Sequence, residues 1–479
     1  MMHERFDAQA ASSPDAIAIW FEDEPISYAA LREWSQQLAG WLSDTCDSTA
    51  GDRVAWLGGN DPFMLALLFA CSRTGTVLVP LNSRLTAAEH AHQLQHCGAA
   101  LGVAQASFLE HLQSAAPAGC QVVAAPDRDA LAALTVHAED DAVDDQAPLL
   151  LVYTSGTTGS PKGAVHTSRS LALTIDNGIE SQGLTSDDIS LILLPLFHVG
   201  GLNIQTLPIL CIGGTVVLHA AFDPGRFLSD VERYGVTTSL LVPATIRAVI
   251  DHPAWPTADM SSIRGIQTGS SVVPPSLLRA LNERAMPAGQ VYGSTETGPT
   301  CVVLPWEEAE HVGAAGTAAP HSEIRIVDNE LQIKGEHLFT HYWDNPGATA
   351  EAFDGDWYRT GDLAHFDEHG YVRIDGRVDD KIISGGENID PVEIEEALLD
   401  APGVGDIAIV AGPDDTWGQV PVAFVVAAGK PTLDELRSHG EATLARFKLP
   451  AALHLVDELP RTALGKVKKF DLRARLVND

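Results

Sequence analysis

Up to about residue 300, short apolar runs alternate with stretches of helical spacing: RVAWLG, TVLVP, LLLVY, LILLP, TVVLH and TSLLVP follow one another with helix-length segments between them. Runs apolar at every position suit strands covered on both faces, and their regular alternation with helices is the pattern of parallel sheets. The fold class expected is therefore α/β. Near the start, AIAIWF and PISY predict a hairpin, after which Leu31, Trp34, Leu38, Trp41 and Leu42 recur at helical spacing. Over 321–374 the pattern shifts to short strands and turns (EIRIVD, ELQIKG, DWYRTGD, YVRID), which predicts a small β-rich subdomain. Beyond GRVDD about a hundred residues restart a βαβ-like alternation, enough for a small independent α+β domain. The boundary is placed at 378/379, giving a large domain, 1–378, and a small one, 379–479. Charge sets that end apart: 446–479 holds eight Lys or Arg against four Asp or Glu, in a chain of net charge −34.

So acidic a chain repels nucleic acid and anionic membranes, so neither is an expected partner. Cysteines 46, 71, 97, 120, 211 and 301 include no CxxC pair, which argues against a zinc ribbon or disulfide framework and for a reducing, cytoplasmic setting. The polar stretch MMHERFDAQAASSPD gives no expectation of a signal peptide. Residues 189–222 carry no Asp, Glu, Lys or Arg, but Pro195, Pro208, four glycines, Asn203 and Gln205 fit strand, loop, helix and strand better than a membrane span. His92 and His96, with Glu89, His90 and Cys97, have the i, i+4 spacing of metal ligands; they are read as residues of a surface helix instead.

Directly after the run 149–153 comes Thr154-Ser155-Gly156-Thr157-Thr158-Gly159-Ser160-Pro161-Lys162-Gly163. Glycines let backbone N–H groups approach an anion, hydroxyls donate to phosphate oxygens, and Lys162 adds a mobile cation, so the loop suits a nucleotide triphosphate. It is not the common P-loop, because Lys162 follows Pro161 and precedes Gly163 instead of closing a Gly-Lys-Ser/Thr triplet. Tyr292-Gly293-Ser294-Thr295-Glu296-Thr297-Gly298 sets one carboxylate among hydroxyls, which suits Mg²⁺ beside phosphates. Tyr358-Arg359-Thr360-Gly361-Asp362 offers a carboxylate for ribose hydroxyls, with a guanidinium nearby. GRVDDKIISGGENIDPVEIE combines Arg377, a hinge candidate and a Gly-Gly turn before a helix opening at Asp390-Pro391. PRTALGK places Lys466 after a tight turn.

In this order, YTSGTTGSPKG, YGSTETG, YRTGD, GRVDDKI and PRTALGK resemble the adenylate-forming superfamily of acyl- and aryl-CoA ligases, peptide-synthetase adenylation domains and beetle luciferases, over essentially the whole chain. The resemblance implies ATP, Mg²⁺ and CoA, with a small carboxylate as substrate and a homodimer allowed. It implies catalytic roles for Lys466, which bridges the carboxylate and the α-phosphate, for Glu296, and for His198 as an aromatic gate. Thr154, Ser155, Gly156, Thr157, Thr158, Gly159 and Lys162 would hold phosphates, with Thr158 and Glu296 at the metal. Gly293, Ser294 and Thr295 would flank adenine, Asp362 the ribose, and Arg377 the ribose or phosphate. Ser384, Gly385 and Gly386 would line the pantetheine tunnel, and Asp379 would be the pivot between two half-reactions. The acyl pocket, from Gly200, Gly201, Gly269, Ser270 and Thr300, is largely uncharged, so an apolar aliphatic or aromatic monocarboxylate is expected. Gln267-Thr268-Gly269-Ser270-Ser271 departs from the Gly-Gly pair common there. Alternatives are an o-succinylbenzoate-CoA ligase, which short length and IISGGENI suggest, an adenylation enzyme loading a carrier-protein thiol, a luciferase-like activity, or a non-catalytic nucleotide sensor.

Overall fold

The structure, a computed structural model, describes all residues but 133–142, 155–160, 270–272, 274, 378–379, 385–386, 415–416, 442–443, 445, 463–464 and 479. The chain forms two compact units, Met1–Glu323 with Ile333–Tyr358, and Ile324–Gln332 with Arg359–Asp479. The expected boundary residues, 378 and 379, lie outside the described residues.

The first unit holds two large sheets. In the nine-stranded one, Ile17–Phe21, Thr215–Leu218, Ile189–Ile192, Thr238–Leu241, Gly265–Thr268 and Ala288–Tyr292 run parallel in that spatial order. Antiparallel strands finish both ends: Glu24–Ser27 on one, Val302–Leu304 and Thr317–Ala318 on the other. The seven-stranded sheet is parallel from Gln121–Ala124 through Ala99–Ala104, Arg53–Leu57 and Val77–Leu81 to Pro148–Thr154, then antiparallel through Lys162–Thr167 and His341–Tyr342. The predicted α/β class and N-terminal hairpin are both present.

Helix Pro62–Thr74 explains how the sheets share a core. It is buried at every position, as its all-round apolar sequence requires. Asp61 caps its start by accepting from the Phe63 N–H, Pro62 occupies the first turn, and Gly75 ends it at φ +70°. Phe69 stacks on Phe6 at 4.4 Å, and the surrounding cluster takes Val54, Leu78 and Leu150 from one sheet and Ile19, Val216 and Leu218 from the other. The uncharged stretch 189–222 becomes a strand, three consecutive helical segments from Val199 to Ile212, and a strand. No described helix is long and apolar enough to cross a membrane.

In the second unit, strands Val404–Asp414 and Gly418–Ala427 form a long antiparallel hairpin, with Ala452–Val456 parallel to the latter. The βαβ-like alternation expected here is thus only partial, because the few residues joining the hairpin strands are too few for a crossover. Helix Pro391–Leu399 opens as predicted at Asp390, whose carboxylate accepts from the Val392 N–H at 2.8 Å. The β-like segments between 321 and 377 form strands Glu323–Val327, Glu330–Lys334, Trp357–Phe366 and Val372–Arg377.

Candidate active site

Five of the phosphate-loop residues expected from sequence, Ser155, Gly156, Thr157, Thr158 and Gly159, lie outside the described residues, as do Ser270, Asp379, Gly385 and Gly386. The two ends of the loop are described. Thr154 closes one strand and Lys162 opens the next; these two residues pair across the hairpin, and the Thr154 hydroxyl donates to the Lys162 carbonyl at 3.4 Å. The loop thus springs from a strand hairpin in the sheet, which fixes its base.

Lys162 and Glu296 are brought together through a residue that sequence reasoning passed over. The Tyr342 hydroxyl donates to Glu296 Oε1 at 2.8 Å, and the Lys162 ammonium sits 5.0 Å from the centre of the Tyr342 ring. Glu296 is buried, 9% exposed. Its backbone carbonyl accepts from the Phe339 N–H at 2.8 Å, so the carboxylate is held at both ends of its residue. Tyr358 lies beside this group; burial, then the neighbouring Glu296 charge and Tyr342, hold its phenol well above the ordinary tyrosine value. The sequence signal for Tyr342 was its place in a two-residue strand, His341–Tyr342, just before a helix starting at Pro346, too short to register as a pattern.

The turn carrying Glu296 is rigid. The Ser294 N–H donates to Thr297 Oγ1 at 2.7 Å, the Thr300 N–H to the Gly298 carbonyl at 2.6 Å, and Gly298 adopts φ +66°. At Gly293 a Cβ would lie 2.5 Å from the Pro299 carbonyl carbon, so only glycine permits this close return of the chain. His166 and His337, both fully buried, lie behind it; burial pushes each down to about 4, and the Thr295 backbone is the main opposing influence on His166. One hard-oxygen carboxylate fixed among hydroxyls fits Mg²⁺, which binds through one or two carboxylates plus substrate phosphates. Among the described residues, no three His, Cys, Asp or Glu side chains form a metal cluster.

His198 has other neighbours. It precedes the helical turn Val199–Gly201, and burial, then Arg84, push its imidazole down to about 4, so it is neutral at pH 7. Gly201 packs so tightly that a Cβ would come 2.3 Å from the Pro195 carbonyl oxygen, whereas Gly200 faces open space. Gly269 lies under the Val291 carbonyl oxygen, 2.8 Å from where its Cβ would be. The Thr300 hydroxyl is buried without a partner among the described residues. The helix bearing His90 and His96 is more buried than the expected surface helix: His90 is fully enclosed, with Nδ1 2.8 Å from His111 Nε2, and His96 bonds the Tyr153 hydroxyl at 2.8 Å. These histidines bond one another and their neighbours, as structural residues do.

In the second unit Asp362 and Arg377 pair across adjacent strands, 3.1 Å apart. Gly361, at φ +70°, leaves the guanidinium its space, since a Cβ there would lie 2.9 Å from Arg377 Nη2. Lys466 follows Gly465, at φ +84°, on a turn closed by the Thr462 N–H donating to the Lys466 carbonyl at 2.7 Å and by the Lys466 N–H donating to Thr462 Oγ1 at 3.2 Å. The residue surface is exposed, but its amine is held below the ordinary lysine value by desolvation and then by Arg377, against the pull of Asp362 and Asp380. Asp362, Arg377 and Lys466, separated by up to 104 positions in sequence, therefore share one electrostatic neighbourhood. Ser384 is buried at the end of strand Ile382–Ser384, paired with Gly418.

The first unit thus carries a buried carboxylate among hydroxyls, and the second a lysine beside an Asp–Arg pair, on an α/β scaffold. The profile of the AMP-binding enzyme family matches residues 6–343, and that of the AMP-binding enzyme C-terminal domain matches 393–466. The chain belongs to the AMP-binding enzyme family. It is 41% identical to an indoleacetate–CoA ligase of Aromatoleum aromaticum, covering 98% of this chain and 97% of that protein. To a feruloyl-CoA synthase of an Amycolatopsis species it is 38% identical, again over 98% and 97%. Among solved structures, the o-succinylbenzoate CoA synthetase of Bacillus subtilis bound to its acyl-adenylate intermediate superimposes with a TM-score of 0.88, at 30% identity over 98% of this chain and 97% of that one.

Proposed function

We propose that this chain is an ATP-dependent, AMP-forming ligase that joins an aryl carboxylic acid to CoA. In the first step a carboxylate oxygen attacks the α-phosphorus of ATP, the bond to the β-phosphate oxygen breaks, and pyrophosphate leaves. In the second, the CoA sulfur attacks the acyl carbon, AMP departs with the bonding electrons, and the thiol proton is lost to solvent.

Both reactants of the first step are anions, and two unit charges 4 Å apart repel by about 4 kcal/mol at an effective dielectric near 20. Lys466 is the cation assigned to that gap, Asp362 the ribose acceptor, and Arg377 the group that orients Asp362. Mg²⁺, held by Glu296 and Thr158, would neutralise the departing pyrophosphate. The observation that carries the reading is the gathering of Lys466 with Asp362 and Arg377; a nucleotide sensor has no need of the lysine. The names of the relatives, and the B. subtilis synthetase solved with ATP and magnesium ion, support the choice of CoA and the metal. Six free cysteines support a cytoplasmic setting.

A screen of carboxylic acids with ATP, Mg²⁺ and CoA, read by pyrophosphate release and by thioester mass, tests it. Acid-dependent AMP and acyl-CoA are expected. ADP as product, or acyl transfer to a holo-carrier protein in preference to CoA, would redirect the assignment.

A further inference from the structure

The carboxylate assigned to the ribose sits where its strand is broken. Strand Trp357–Phe366 runs beside Glu330–Lys334 in a five-stranded sheet, but Gly361 turns to φ +70° just before Asp362, and the pairing with Val372–Arg377 slips between Leu363 and Ala364. Two N–H groups at the break donate to side chains. That of Gly361 goes to Glu330 Oε1 at 3.1 Å, and that of Asp362 to Thr360 Oγ1 at 3.0 Å. The Thr360 hydroxyl in turn donates to the Leu331 carbonyl at 2.7 Å. Both supports therefore trace to two adjacent residues of the neighbouring strand, Glu330 and Leu331.

The second oxygen of Glu330 is gripped by Arg359, whose Nε lies 3.1 Å and Nη2 3.0 Å from it. One carboxylate thus clasps the chain at 359 and at 361, on both sides of Thr360. Glu330 is buried, 8% exposed, so water is a poor replacement for the bond to Gly361. Glycine has the widest backbone freedom of any residue, and a left-handed turn built on it keeps its direction only while something holds it.

Resting on the reading of Asp362 as the ribose acceptor, we propose that Glu330 is a positioning residue for nucleotide binding: by holding the Gly361 N–H it fixes the left-handed turn that aims Asp362 at the ribose hydroxyls. It acts through Asp362 and contributes to no other part of the nucleotide. A carboxylate aimed in advance loses little freedom when the nucleotide arrives, so its bonds to the hydroxyls appear in affinity nearly undiminished.

The test compares binding of AMP with that of 2′,3′-dideoxyAMP, which lacks both hydroxyls, by calorimetric titration of the full chain. Wild type is expected to favour AMP by at least about tenfold. Glu330→Ala removes the acceptor, and Glu330→Asp withdraws it by one methylene. Each is expected to weaken AMP by about tenfold, to leave dideoxyAMP within about twofold of wild type, and so to erase most of the preference. Glu330→Asp carries the same expectation should Glu330→Ala not fold. Glu330→Gln keeps an oxygen for Gly361 while half-exposed Arg359 turns to water, and is expected to retain most of the preference. A preference unchanged in folded Glu330→Asp, or equal weakening of both nucleotides as a merely structural role would give, overturns the proposal. Glu330→Gln behaving like Glu330→Asp assigns the effect to the Arg359 pair and overturns it too. Wild type that binds both nucleotides equally removes Asp362 from the ribose and the proposal with it, while leaving the ligase reading intact. Wild type that binds neither overturns both.

Discussion

Replacing Tyr342 with Phe removes one hydroxyl and little else. The ring stays, so the Lys162 ammonium keeps its place 5.0 Å from the ring centre, and the tilted contact with Phe339, at 4.7 Å between centroids, survives. What is lost is the 2.8 Å bond to Glu296 Oε1. A hydrogen bond to a charged group contributes about 1.5–3 kcal/mol, and Glu296 at 9% exposure has little water to replace it. Tyr358 nearby offers partial compensation, which favours the lower half of that range. The expected result is a roughly 10- to 40-fold fall in kcat/KM for adenylation at limiting Mg²⁺, relieved in part by raising Mg²⁺. Direct titration of Mg²⁺-dependent ATP binding should shift in the same sense. Thioester formation from supplied acyl-adenylate and CoA needs no departing pyrophosphate, and should stay within about twofold of wild type. Adenylation unchanged at every Mg²⁺ concentration, or equal loss in both half-reactions, would refute the claim that this phenol braces the carboxylate proposed to hold Mg²⁺.

Lys466→Ala should lower adenylation by about a thousandfold, the equivalent of the repulsion its charge offsets, while sparing thioester synthesis from acyl-adenylate; separate assay of the half-reactions decides it. Asp379→Pro should do the reverse if the chain pivots there, and unchanged thioester formation would remove the pivot. Acid should destabilise the fold through His166 and His337. Their folded values, near 4, lie below the ordinary 6.5, so the unfolded chain binds more protons, and stability complete above pH 6.5 is lost on descent to pH 4. The loss is on the order of 3 kcal/mol for each histidine. Denaturant midpoints across that range should fall steeply in wild type and less steeply in His337→Gln.

The parallel strands were legible because each is a short apolar run, and the motifs because glycine, hydroxyl and charge are concentrated in loops. Asp362 and Arg377 were visible singly; their pairing depends on a strand register that no local pattern encodes. Tyr342 escaped because its strand has two residues and its role comes from a partner 46 positions earlier in the chain. The antiparallel turn of the C-terminal hairpin was misread because Val404–Asp414 and Gly418–Ala427 have the same apolar character as a parallel pair. Burial of His90 was hidden by Glu89, His92 and Gln95 on the same helix, which do face solvent.

Helix Pro62–Thr74 packs into a cluster fed by both large sheets. A lesion anywhere along it would loosen the edges of both sheets together. Temperature-sensitive alleles mapping there should accordingly impair every substrate alike, whereas changes that retune acid preference should be found on the strand edges facing Gly200.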